Sequence, residues 1–150
     1  LFQIEYTMKI AIACDHAGYE LKDYLKNNLQ QQNIEVIDYG TNGPESVDYP
    51  DFGHKVCNDV EAAKVDFGIL ICGTANGMAM TANKHENIRC GLCWSPEIAT
   101  LTKQHNNANV IAIPARFVNK EEGWMITQAY MDASFEGGRH QNRINKIACA

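Results

Sequence analysis

The sequence predicts a three-layer α/β/α fold, in which a doubly wound, Rossmann-like parallel sheet of five strands lies between helices. Short apolar runs alternate with segments of helical periodicity along the chain, a pattern typical of a parallel sheet that is covered on both faces. The 150 residues correspond to one domain, and they contain no repeat, low-complexity segment or linker. We therefore expect a single α/β domain that ends in a C-terminal helix.

The composition excludes several classes of protein. With 45% hydrophobic and 21% charged residues, the chain has the balance of a globular domain rather than that of a disordered or fibrous protein. The net charge of -5 argues against a nucleic-acid or anionic membrane partner, and the apolar runs are too short to span a bilayer. Six cysteines without an export signal predict reduced thiols in a cytoplasmic protein.

The first seven residues stand apart from the fold pattern, which begins at Met8. Gln3 and Glu5 interrupt the stretch in which a signal peptide would carry its apolar core. We interpret residues 1–7 as an N-terminal extension or an expression remnant, and residues 8–150 as the domain.

The first half of the chain predicts two strands and two helices. Residues 9–14 form an apolar run typical of a buried strand, and residues 34–39 form a second strand that ends at Gly40. The first helix is predicted by the helical spacing of Leu21, Tyr24, Leu25, Asn28 and Leu29. A loop rich in turn-forming residues leads to Pro50, a favourable first helical residue, and the inner face of this second helix is predicted to carry Phe52, Val56, Val60 and Ala63.

The second half predicts three more strands, over residues 67–72, 89–94 and 109–113. A tight loop at residues 73–77 opens into a short helix that continues to Lys84. Ser95, Pro96 and Glu97 combine a cap, a proline and an early acid, so they predict the start of a helix that reaches about Gln104. Another helix begins at Asn119 and reaches about Ala133, and the C-terminal helix follows residues 135–140.

The order of the strands predicts where a ligand would bind. For five parallel strands the doubly wound order 2-1-3-4-5 is expected, in which strands 1 and 3 are neighbours and ligands bind beyond their carboxyl ends. The loops at residues 14–18 and 72–77 follow those two strands. We therefore expect the functional site to be built from these two loops.

The second of these loops contains a candidate catalytic thiol. Backbone N–H groups of residues 73–77 can converge on an anion, although the loop matches neither a Walker A loop nor a dinucleotide-binding motif. Cys72 precedes them, and a thiol that faces several N–H donors can act as a base or a nucleophile. A plain buried cysteine at the end of a strand explains the same residue equally well.

Other polar residues have both a functional and a structural interpretation. Asp15 can bond a substrate hydroxyl while His16 meets an anion, or the pair can be a helix cap beside an exposed histidine. His105, just past a predicted helix, can be a general acid, or it can merely contact the helix dipole. Arg139 and Arg143 stand four residues apart on one helix face, which suits a phosphate clamp but also suits a solvated surface.

A third arginine and the absence of a metal motif complete the set of candidates. Arg116 follows the fifth strand directly. No zinc-binding pattern is present, because the pair Cys90 and Cys93 lacks a second pair of ligands and falls in a predicted strand, so we predict no metal.

Six separate stretches in register resemble the ribose-5-phosphate isomerase B family, a group that also contains the galactose-6-phosphate isomerase subunits. The matching stretches are residues 12–18, 48–50, 69–74, 82–84, 104–109 and 136–141. The resemblance implies a homodimer, sometimes a tetramer, whose active sites are shared between subunits. It also implies cofactor-free interconversion of D-ribose 5-phosphate and D-ribulose 5-phosphate in the non-oxidative pentose phosphate pathway.

The resemblance also implies a role for each matching residue. The base is Cys72, because Met78 stands where other members carry a glutamate base. The remaining catalytic residues are Thr74, Asp15 and His105, and the residues that bind substrate are His16, Tyr49, Gly73, Asn76, Gly77, Asn106, Arg116, Arg139 and Arg143. The chain departs from the family pattern at Pro114, which precedes Arg116 by two residues, and at Ala75, where glycine is frequent.

Two alternative functions remain open at this level. A related isomerase could act on a six-carbon sugar phosphate such as allose or galactose 6-phosphate, since the length of the pocket decides the substrate. A flavodoxin-like binding module fits the fold class alone, but it leaves the combination of a thiol with several arginines unexplained.

Overall fold

The computed structural model describes residues 3–149, so that Leu1 and Phe2 of the predicted extension and Ala150 of the predicted domain lie outside it. Strands and helices alternate throughout. The strands are β1 (Lys9–Cys14), β2 (Glu35–Asp38), β3 (Phe67–Cys72), β4 (Cys90–Leu92) and β5 (Val110–Pro114). The helices are α1 (Tyr19–Gln31), α2 (Tyr49–Glu61), α3 (Asn76–Ala82), α4 (Pro96–Asn106), α5 (Lys120–Asp132) and α6 (Arg139–Ile144).

All strands pair in parallel in the order β2-β1-β3-β5-β4. The predicted α/β sheet is confirmed, but the predicted order 2-1-3-4-5 is wrong at the far edge, where β4 and β5 exchange places. β5 is fully buried and apolar along its length, whereas β4 has three residues, each only half-buried. A strand that is buried on both faces favours the interior of a parallel sheet, and the short half-buried one is left at the edge.

The two faces of the sheet form two separate cores. Along β3, Ile69 and Ile71 pack into the core beneath α1, α4 and α5, while Leu70 and Cys72 pack into the core beneath α2 and α3. Alternate residues of a strand point to opposite faces, so a continuous apolar strand fills both cores. The three layers of the predicted architecture follow from this pattern.

Several predicted details hold and others need correction. The side chain of Ser95 accepts a hydrogen bond from the N–H of Ile98, as a helix cap should. Ala63, predicted on the inner face of α2, is exposed and lies beyond the end of that helix at Glu61. α4 is longer than predicted, so His105 and Asn106 belong to its last turn rather than to the following loop. No helix within residues 3–149 is long and apolar enough to cross a membrane.

A buried lysine ties the loop after β2 to α1. The side chain of Lys22 is fully buried, and its ammonium group donates hydrogen bonds to Asp38 (2.7 Å), Asn42 (2.9 Å) and Asp23 (3.0 Å). Burial by itself lowers the pKa of Lys22, but the hydrogen bonds to Asp38 and Asp23 outweigh burial and leave it raised. The loop that leads to Tyr49 therefore starts from a fixed point.

Candidate functional site

The loops after β1 and β3 lie side by side at the carboxyl edge of the sheet, as the sequence predicted. The N–H of Asp15 donates to the carbonyl of Ile71 (3.0 Å), which continues the pairing of the two strands. Gly18 permits this approach, because a Cβ atom there would lie 2.6 Å from Cγ2 of Ile71. The two loops meet because the strands before them are neighbours.

The side chain of Asp15 closes a turn rather than capping α1. Its Oδ1 atom accepts a hydrogen bond from the N–H of Ala17 (2.9 Å), while the N-cap residue of α1 is Gly18, without a side-chain cap. His16 lies beside the end of the loop before α2, where the N–H of Val47 approaches its Nδ1 atom at 3.4 Å. The carboxylate of Asp15 is thus held in place through one of its oxygens.

Cys72 ends β3 beneath the glycine loop, with 4% of its surface exposed. The N–H groups of Gly73, Thr74 and Ala75 find no acceptor among residues 3–149, and the N–H of Asn76 approaches Oγ1 of Thr74 at 3.3 Å. Backbone N–H donors are normally paired, so this group, of which Gly73 and Ala75 are buried, is ready for an anionic oxygen.

Ala75 takes the backbone conformation for which glycine is favoured. Its φ is +64°, in the left-handed region, and the residue is fully buried. An alanine costs about 1–2 kcal/mol in this region, because its Cβ atom crowds the following carbonyl oxygen. The loop therefore keeps its turn in spite of the substitution, at a cost that the surrounding core offsets.

Other cysteines do not compete for the role of Cys72. Burial raises the pKa of the Cys14, Cys57 and Cys93 thiols to about 12. Burial also raises the pKa of Cys90 well above its ordinary value. These four thiols stay protonated at neutral pH, as expected for structural core residues.

Tyr49 covers the second glycine of the loop. A Cβ atom at Gly77 would lie 2.5 Å from Cζ of Tyr49, so the ring rests directly on the backbone there. Tyr49 begins α2, and 38% of its surface is exposed. The tyrosine therefore forms one wall beside the loop, and Gly77 is required for the contact.

Arg116 reaches the same loop from β5, because β5 and not β4 pairs with β3. Its N–H donates to the carbonyl of Gly73 (3.1 Å), and its Nη1 atom would lie 3.1 Å from a Cβ atom at that glycine. Pro114 pairs with Cys72 in the sheet. A proline has no N–H, and the missing group at position 114 would point toward β4. The pairing of β4 with β5 already ends at Leu92, so the proline removes no hydrogen bond from the sheet.

The remaining predicted residues form a second cluster, at the opposite edge of the sheet. A cavity of about 420 Å³ is lined by His105, Asn106, Arg139 and Arg143, together with His140, Ile144 and Ile147. Both arginine side chains are exposed. We call these residues the amino-edge cluster. The residues around Cys72 form the carboxyl-edge cluster, which consists of Asp15, His16, Tyr49, Cys72, residues 73–77 and Arg116.

One chain does not bring the two clusters together. α4 starts after β4 at the carboxyl edge and runs back for 11 residues, or about 16 Å, before it reaches His105. The chain then enters β5 at Val110. Cys72 pairs with Pro114, which lies at the other end of that strand. His105 is therefore separated from Cys72 by the full length of the sheet.

Sequence reasoning gave no role to two members of this region, His140 and Glu136. The ring of His140 stacks on that of His105, with centroids 4.4 Å apart and planes inclined by 13°. Its Nε2 atom lies 3.5 Å from Oε2 of Glu136. Glu136 lies before α6 begins at Arg139, so the helical rule that pairs side chains four residues apart would not have indicated this contact from the sequence.

Ligand atoms of His105, Glu136 and His140 all lie within 4.8 Å of one another, as in a candidate metal site. The geometry does not suit a metal ion. Imidazole lone pairs lie in the plane of the ring, so two stacked rings cannot direct theirs to one point. Ligands of a tetrahedral zinc ion also lie closer, at about 3.3 Å from one another.

A search for known relatives gives a consistent result. The family model described as Ribose/Galactose Isomerase matches residues 10–147. Ribose-5-phosphate isomerase B of Escherichia coli is 45% identical over 93% of this chain and 93% of its own length. A ribose 5-phosphate isomerase structure from Thermotoga maritima superimposes with a TM-score of 0.92 at 46% identity, covering 95% of this chain and 98% of that chain. Ribose-5-phosphate isomerase B from Mycoplasma genitalium, solved with bound ribulose-5-phosphate, has a TM-score of 0.89 at 41% identity and covers 95% of both chains.

Proposed function

This chain belongs to the ribose/galactose isomerase family, as its six motifs predicted, and on that premise we propose that it interconverts D-ribose 5-phosphate and D-ribulose 5-phosphate. The proposal includes a role in the non-oxidative pentose phosphate pathway and a cytoplasmic location. The observation that carries it is Cys72, which lies at the end of β3 beneath three unpaired N–H groups. Proton transfer next to a carbonyl requires a base and hydrogen-bond donors that stabilise the oxyanion, and this arrangement provides both.

Cys72 acts as the base in this mechanism. Its thiolate removes the proton from C2 of the open-chain aldose and returns it to C1. The proton of the C2 hydroxyl passes to the oxygen of C1, so that the carbonyl moves from C1 to C2. Met78 carries no group that accepts a proton, and it is fully buried. The enediolate oxygen that forms between the two transfers is stabilised by the N–H groups of Gly73 and Thr74, with the Thr74 hydroxyl beside them.

The sugar ring has to open before this proton transfer. His105 is the acid–base group for ring opening, and Asp15 holds the opposite hydroxyl. Since the two residues lie at opposite edges of one chain, the proposal requires a second copy whose amino-edge cluster meets the first copy's carboxyl-edge cluster. A homodimer with two shared sites, alone or within a tetramer, satisfies this requirement.

Phosphate binding draws on both clusters in the same way. His16 and Arg116 approach from the carboxyl edge, and Arg139 and Arg143 approach from the second copy. Guanidinium groups bind phosphate through paired hydrogen bonds, which fix the far end of the sugar and hold C2 near the thiol. The walls are completed by Tyr49, Asn76, Gly77 and Asn106.

A coupled isomerase assay tests this function directly. The purified protein is offered five-carbon and six-carbon aldose phosphates, each with and without a chelator. We expect turnover of ribose 5-phosphate that the chelator leaves unchanged. Preference for allose or galactose 6-phosphate would favour the six-carbon alternative, and the description of the family names galactose beside ribose. Failure to turn over any of these sugars would refute the proposal.

A further inference from the structure

The ring of His105 is held by a stack rather than by hydrogen bonds. It lies in the last turn of α4, and no group within residues 3–149 hydrogen-bonds either of its ring nitrogens. The imidazole of His140 covers one face at 4.4 Å with an inclination of 13°. A face-to-face contact restricts rotation of the ring but leaves both nitrogens free, because they lie in the plane of the ring.

His140 is itself held in place by its burial and by the carboxylate of Glu136. It is 8% exposed, and Oε2 of Glu136 lies 3.5 Å from its Nε2 atom. The N–H of Glu136 donates to the carbonyl of Gln104 (3.0 Å), the residue before His105. The backbone of Glu136 is thus tied to the last turn of α4, while its carboxylate holds the ring that covers His105.

We propose that His140, held by Glu136, is a positioning residue that sets the plane of the His105 ring for opening the furanose form of the substrate. The inference rests on the ring-opening role proposed for His105. In that step the anomeric hydroxyl loses its proton and the ring oxygen gains one, while the bond between C1 and the ring oxygen breaks and leaves its electron pair on that oxygen. No oxidant or metal is consumed, and the step depends on the angle at which the imidazole meets the sugar.

Ribulose 5-phosphate permits a clean test, because its C5 oxygen carries the phosphate and the ketose cannot close a furanose ring. An enzyme defective only in ring opening still converts this open-chain substrate. In the opposite direction it has to wait for ribose 5-phosphate to open in solution. Its forward rate therefore stops rising with enzyme concentration, whereas its reverse rate stays proportional to enzyme concentration.

The variants are His140→Ala, His140→Phe and Glu136→Gln, with His105→Asn as the reference and Asn142→Ala as the matched control on the same helix. Asn142 is exposed. We expect a forward plateau for His105→Asn and His140→Ala, while the reverse rate of each variant remains proportional to enzyme concentration. At high enzyme concentration the forward deficit should reach at least about 100-fold, the lower limit for loss of a general acid–base group. His140→Phe, which keeps an aromatic face, should restore most of the forward rate.

Each outcome decides the matter. A plateau for His105→Asn but not for His140→Ala would overturn the positioning role and leave the proposed function intact. A linear forward rate for His105→Asn would refute the ring-opening role on which the inference rests. An equal rise of KM in both directions for His140→Ala, without a plateau, would instead make His140 a phosphate ligand. Reverse turnover by each variant serves as the check that it folds.

Discussion

Separation of the two clusters in one chain predicts that two inactive variants restore each other when they are mixed. Cys72→Ala removes the base, which is worth about 10²–10⁴ in rate. The double variant Arg139→Ala/Arg143→Ala keeps Cys72 but removes two charge-assisted phosphate contacts of about 1.5–3 kcal/mol each. The combined loss of about 3–6 kcal/mol corresponds to a fall of about 10²–10⁴ in kcat/KM.

The expected recovery follows from counting sites. When equal amounts of the two variants are refolded together, about half of the dimers contain one chain of each kind. In such a dimer one shared site carries both defects, and the other carries an intact Cys72 from one chain and intact arginines from the other. About a quarter of all sites are therefore complete, and we expect about a quarter of the unmodified activity.

The assay is initial-rate turnover of ribose 5-phosphate as a function of mixing ratio, with a maximum at equal amounts. A matched control mixes Cys72→Ala with Thr74→Val, since both changes lie in the carboxyl-edge cluster and neither can complement the other. Activity of the mixture that does not exceed that of the separate variants would show that each site is built within one chain, and would refute the shared-site reasoning.

The remaining predictions concern phosphate binding, assembly and stability. Arg139→Ala and Arg143→Ala, made singly, should each raise KM by one to two orders of magnitude, or about 1.5–3 kcal/mol. Lysine at either position should restore KM only in part. An unchanged KM in both alanine variants would refute the proposed phosphate clamp. Light scattering should find at least a dimer, and a fully active monomer would contradict the proposal. Lys22→Met should lower the free energy of unfolding by about 3–5 kcal/mol in urea titrations, because it leaves Asp38 without its buried partner. Lys26→Met, which removes the more exposed partner of Asp38, should lower the free energy of unfolding far less. Although burial raises the pKa of Asp38, the hydrogen bond from Lys22 lowers it overall, so this stability is present above the unfolded pKa and disappears as the pH falls through the folded one. An acid unfolding profile that Lys22→Met leaves unchanged would contradict this assignment.

Much of the fold could be predicted because it depends on local pattern. A few consecutive residues are enough to predict a strand at β3, which is a continuous apolar run, and a helix start at the capping residue Ser95. The pairing of β1 with β3, and with it the position of Cys72, followed from the expected order of a doubly wound sheet. The candidate residues could likewise be named, because the motifs that contain them are short and continuous in sequence.

The positions of β4 and β5 could not be read from the chain, because both are apolar runs of similar character. Burial separates them only after the whole sheet is packed, when the longer apolar strand takes the interior. The consequence reaches the site, since Arg116 approaches Gly73 only because β5 lies beside β3.

The sequence by itself determined the strands, the caps and the identity of the candidate groups, because each of these depends on residues that are close along the chain. Tertiary structure alone decided which groups meet. It placed His105 against His140, between α4 and α6. It also put both residues at the amino ends of the strands, whereas Cys72 lies at the carboxyl ends. Distances of this kind depend on the direction and length of α4 and on the packing of the sheet, which no short stretch of sequence encodes.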